Sequence, residues 1–151
     1  MAGYKFHLQS ILDYRAGLVD RARMEVAALQ TRQRGEEEAR ERLRGDERAT
    51  LAALARIQTG GALDLAELTR LMGSVDALGA RIEQQGLVIE RCRREADEAQ
   101  ARLVALSMDA KALEKLRERQ REEFLIEGAR RDQTEMSELA SLRHRWTQIA
   151  R

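Results

Sequence analysis

From Leu68 to Leu113 the chain reads LTRLMGSVDALGARIEQQGLVIERCRREADEAQARLVALSMDAKAL, and its apolar residues recur at every seventh position in two rows. One row is Leu68, Val75, Ile82, Ile89, Ala96, Leu103 and Ala110. The other, three residues further on, is Leu71, Leu78, Gln85, Cys92, Ala99, Leu106 and Leu113, with Gln85 its one lapse. An α-helix has about 3.6 residues per turn, so a seven-residue repeat stays against a partner only if the helices supercoil. Sustained over roughly six heptads, the pattern excludes a strand and predicts an all-α coiled coil, a long and narrow rod.

The stretch before it repeats less cleanly. Leu8, Arg15, Ala22, Leu29, Glu36, Leu43, Thr50 and Ile57 form one row; Leu12, Val19, Val26, Gln33, Arg40, Glu47 and Leu54 form the other. Between the two repeats lies Gly60-Gly61, the only adjacent glycines. Glycine commonly follows a helix end because it accepts left-handed backbone angles. Asp64 then reads as an N-cap, with Glu67 three residues on for a box-like start. The expected helices therefore run over about 4–59 and about 65–148, joined by a loop at about 60–64.

A short loop favours an antiparallel hairpin, and the registers agree. Folding about the glycine pair sets Leu54 opposite Leu68, Val26 opposite Ala96 and Leu12 opposite Ala110. The weak point of one arm meets that of the other, Glu36 opposite Gln85. The second helix is the longer, and from about residue 119 it has no partner within the hairpin. Phe124, Leu125, Met136, Leu139, Leu142, Trp146 and Ile149 are the apolar anchors of that overhang, which reads as a docking element.

Composition bounds function. The 151 residues include no proline, 35% are charged and only 3% aromatic, the balance of long helices with solvated flanks. By length, 1–151 is one structural unit. Two paired helices supply no walls for a ligand pocket. The formal charge is +1, from 27 basic and 26 acidic residues interspersed, so no basic stripe marks a nucleic-acid partner. No apolar run has the length of a signal peptide or membrane span, so an intracellular chain without membrane insertion is expected. Cys92 sits on the seam as a small packing residue.

No catalytic site, metal site or cofactor is expected. His7 and His144 lie at opposite ends of the chain, and no pair of His, Cys, Asp or Glu recurs at metal-ligand spacing with enough partners to fill a shell. Glu36-Glu37-Glu38 and Glu122-Glu123 read as solvated helix faces. The aromatic residues, Tyr4, Phe6, Tyr14, Phe124 and Trp146, fall only near the ends, which the hairpin brings together as candidate anchors for a partner.

Three blocks carry a resemblance: Tyr4-Lys5-Phe6-His7-Leu8-Gln9-Ser10-Ile11-Leu12-Asp13-Tyr14-Arg15, followed by Asp20-Arg21-Ala22; Leu78-Gly79-Ala80-Arg81-Ile82-Glu83-Gln84-Gln85; and Lys111-Ala112-Leu113-Glu114-Lys115-Leu116-Arg117-Glu118-Arg119. In order and spacing, over nearly the whole chain, they resemble the FliJ family of flagellar export proteins. The resemblance implies a non-enzymatic component of the flagellar type III export apparatus, cytoplasmic and peripherally associated with the inner membrane. As a central-stalk-like coiled coil it would enter the hexameric export ATPase by its open end, with Phe6, Leu8, Leu12, Tyr14, Phe124 and Trp146 at that interface. It would link the ring to the membrane export-gate protein and to substrate-specific export chaperones. By position, the gate surface would include Leu43, Leu71, Met72 and Leu78; relatives use aromatics there, and this chain has none between Tyr14 and Phe124. The stalk protein of a virulence-type secretion system shares these expectations. A purely structural coiled-coil spacer shares only the helices.

Overall fold

The computed structural model describes residues 3–62 and 64–150. It contains two helices, α1 (Gln9–Thr59, 51 residues) and α2 (Leu65–Ile149, 85 residues). The fold is an all-α antiparallel helical hairpin with a longer second helix. Every residue of the four heptad rows is buried or half-buried, including Arg15, Glu36, Arg40 and Glu47. The most covered are Cys92 and Ala99, each 1% exposed, and Ile89 at 2%. Cys92 is a free thiol packed in the seam.

The chain divides into two compact units, Met1–Val19 with Ala105–Arg151, and Asp20–Val104. In the second of these, the arms are tied across the seam by Arg102–Glu25 (3.0 Å), Arg32–Glu95 (3.5 Å) and Arg93–Glu37 (4.0 Å). Such exposed pairs contribute about 0–1 kcal/mol each. Burying a Val, Leu or Ile side chain contributes about 1.5–3 kcal/mol. Packing therefore holds the arms, and the charge pairs select orientation and register.

The turn between the helices differs from expectation in one respect. No glycine among the described residues has a positive φ, so α1 does not end in a left-handed cap. Instead the Thr59 hydroxyl bonds back to the carbonyls of Ala55 (3.1 Å) and Arg56 (3.2 Å) within the last turn. A side chain at Gly60 would place its Cβ 3.2 Å from the Arg56 carbonyl, so the glycine serves close approach rather than handedness. Leu63 of the expected loop lies outside the described residues. Asp64 caps α2 as the sequence suggests: its Oδ1 accepts from the backbone N–H of Ala66 (3.0 Å) and Glu67 (3.3 Å).

α1 begins later than the sequence suggests, at Gln9 rather than near residue 4. Helical propensity there yields to tertiary contact. Residues 3–6 leave the helical path, and Phe6 is buried at 7% exposure while Tyr4 reaches across to α2. The Gln9 N–H donates back to the Phe6 carbonyl at 3.1 Å, which starts the first turn.

Candidate partner interface

The unit formed by Met1–Val19 and Ala105–Arg151 brings the N-terminal block against α2. The Tyr4 hydroxyl donates to the Arg117 backbone carbonyl at 3.3 Å. The Tyr4 ring meets Phe124 with centroids 5.7 Å apart and planes inclined by 50°, a tilted aromatic pair. Below them Leu12 (4% exposed) and Ala110 (6%) are buried, and Arg15 pairs with Asp109 at 3.2 Å. A shallow open groove runs between Tyr4, Phe6 and Gln9 on one side and Arg117, Glu118 and Arg121 on the other.

The six residues named for the ATPase interface divide in two. Phe6 and Leu12 are buried and Leu8 is half-buried, so in this conformation they pack the unit from within. Tyr14, Phe124 and Trp146 are exposed and present apolar surface outward. Tyr4 and Phe124 come together; Tyr14 and Trp146 pair with no other ring among the described residues. Beyond Gln120 every described residue of α2 is exposed except Gly128, which is half-buried.

In the unit Asp20–Val104 the four residues named for the gate surface are also not alike. Leu71 is buried, and Leu43 and Leu78 are half-buried on the seam; only Met72 is exposed, at 55%. In the same unit Gln85 donates to the backbone carbonyl of Glu36 at 3.1 Å and also to its carboxylate, making one polar layer across the seam.

Sequence reasoning missed the role of Tyr4. The heptad pattern does not reach it, because it precedes α1, although it opens the first block quoted above. Exposed Glu41 is held below the usual carboxylate range, first by the hydrogen bond from Arg48 (2.9 Å) and then by that guanidinium's charge. Among the described residues no His, Cys, Asp and Glu groups gather as a metal site. No described helix is long and apolar enough to cross a membrane.

No curated protein and no solved structure matches the chain. The family model described as "Flagellar FliJ protein" matches residues 4–148, which takes in the Tyr4 contact and nearly all of α2. The chain belongs to the flagellar FliJ family and is associated with the flagellar export apparatus.

Proposed function

We propose that the chain acts as a single coiled-coil hairpin, a central-stalk-like element that enters the hexameric export ATPase and promotes its activity. The observation that carries this is the solvent-exposed apolar surface of Tyr14, Phe124 and Trp146, in a unit whose core is already closed by Phe6 and Leu12. A folded unit that leaves aromatics in water has surface to give to a partner. Family membership supplies the kind of partner, a component of flagellar export.

The mechanism is conformational rather than chemical, and no catalytic residue or cofactor enters it. A stalk changes hydrolysis only by contacting one state of a ring subunit better than another. Tyr14, Phe124 and Trp146 make that differential contact; Phe6, Leu8 and Leu12 hold the backbone that presents them. Charges of both signs along the helices keep any one angular position from becoming a deep trap. Met72, exposed where Leu71 is buried and Leu43 and Leu78 are half-buried, offers the gate protein an aliphatic contact. Export chaperones use the same assembly, which places the chain in the cytoplasm beside the inner-membrane gate.

The test is ATP hydrolysis by the cognate export ATPase with and without the full chain, at fixed ring concentration. Saturable stimulation supports the stalk reading. An assembled ring that hydrolyses ATP at the same rate with and without the chain overturns it and favours a spacer.

A further inference from the structure

The seam of α2 does not continue into its far segment. Its two rows extend through Arg117, Phe124 and Arg131, and through Gln120, Glu127 and Thr134, which apart from Phe124 are polar. A second apolar stripe begins instead at Leu125 and runs through Ala129, Met136, Leu139 and Trp146 to Ala150, with Asp132 and Arg143 as its only charged members. These positions alternate in steps of four and three residues and lie more than a quarter of a turn round the helix from the old seam. The stripe is in water: Leu125 is 59% exposed, Met136 68%, Leu139 61% and Trp146 72%. It is a coiled-coil face of its own.

We propose that this face pairs with the same face of a second copy of the chain, the two segments antiparallel. One register satisfies every layer. Leu125 meets Ala150 of the second copy, Ala129 meets Trp146, Asp132 meets Arg143 and Met136 meets Leu139, and each layer recurs by two-fold symmetry. The largest side chain of the stripe faces its small Ala129. The acid faces the base. A parallel pair in register sets Asp132 on Asp132, Arg143 on Arg143 and Trp146 on Trp146, which like-charge repulsion and crowding disfavour. Charge along the segment is polarised in the same sense. Acidic residues outnumber basic ones from Glu122 to Glu138, whereas Leu139 to Ala150 carries Arg143 and Arg145 and no acidic residue. Antiparallel pairing overlays unlike ends.

Neither Asp132 nor Arg143 takes part in an ion pair among the described residues, so both are available to the second copy. A polar layer of this kind fixes register and orientation in coiled coils. Pairing also supports a segment that, as a solvated helix without neighbours, is only marginally stable in water. Because Trp146 serves both faces, the paired form and the proposed ring-bound form exclude one another at that residue.

The test is the mass of the full chain in solution against concentration, by sedimentation equilibrium, for the wild type and for Asp132→Arg, Arg143→Asp, the double variant and Trp146→Ala. The wild type is expected to rise from 17.2 kDa toward twice that mass. Each charge reversal is expected to weaken association by about tenfold or more, and the double variant to restore it. The two residues stand roughly 16 Å apart along one helix, so rescue cannot arise within a single chain. A wild type that stays at 17.2 kDa overturns the proposal. So does association that persists unchanged in both single variants, or a double variant that fails to recover. A strictly single chain whose ATPase stimulation is lost with Trp146→Ala would sink the pairing and leave the stalk reading standing.

Discussion

Gln85 reaches across the hairpin seam to Glu36, donating to its backbone carbonyl at 3.1 Å and to its carboxylate. Both residues are half-buried and both occupy heptad positions; on the α2 side the neighbouring seam residues Leu78, Ile82, Ile89 and Cys92 are apolar, whereas α1 sets Gln33 and Arg40 beside Glu36. A polar pair in such a row costs stability and fixes register, because no slipped alignment matches the two again.

Replacing one member leaves the other unmatched. Gln85→Leu is expected to destabilise the chain by about 1 kcal/mol, since the half-buried Glu36 carboxylate loses its donor but keeps access to water. Glu36→Leu with Gln85→Leu is expected to leave stability at or above that of wild type, by about 0–1 kcal/mol, while loosening register. Urea denaturation reads both. A double variant less stable than wild type would contradict the assignment of this layer as a specificity device.

Gly35 and Gly73 stand inside α1 and α2 with open space where a Cβ would lie. Each change to alanine is expected to raise stability by about 1 kcal/mol. Gly60→Ala meets the Arg56 carbonyl at 3.2 Å and is expected to give no gain or a loss. Thermal melts of the three single variants separate these outcomes.

The Tyr4 contact separates into a hydrogen bond and a packing part. Tyr4→Phe removes only the bond to the Arg117 carbonyl, at a cost of about 0.5–1.5 kcal/mol. Phe6→Ala opens a cavity under it and costs about 3–5 kcal/mol. Hydrogen exchange near residues 117–124 of α2 should quicken much more in the second variant; equal rates in the two would show that Phe6 does not anchor this block.

Exposed and buried members of the proposed ring interface should fail differently. Tyr14→Ala and Trp146→Ala are expected to change stability by no more than about 0.5 kcal/mol, since both side chains lie in water, yet to lower ATPase stimulation. Leu12→Asp places a charge in the core and is expected to lose stimulation together with helical structure. Full stimulation by a folded chain carrying both alanines would remove these residues from the interface.

How far the sequence was readable follows from the range of each signal. Seam positions from Leu8 to Leu113 were legible because a seven-residue repeat is written by the same packing that covers it. The opposition of Glu36 and Gln85 followed from counting outward from the glycine pair. The start of α1 was not legible. Tyr4 lies outside the seven-residue repeat, and its contact is with α2, over a hundred positions away in sequence. Periodicity did separate Leu12, on a seam row and buried, from Tyr14, off both rows and exposed, but it could not assign Phe6, which precedes α1 and is buried.

The bond between Tyr4 and Arg117 joins residues separated by 113 positions, whereas Gln85 and Glu36 are separated by 49. Loop closure grows costlier with the length enclosed, and distant contacts form slowly unless nearer ones have already shortened the path. Contacts close to the turn at Asp64 are therefore expected to form before the contact of Tyr4 with Arg117. Pulse-labelled exchange during refolding should accordingly protect the amides around Ile89 before those around Arg117; the reverse order would show that the N-terminal block nucleates the chain.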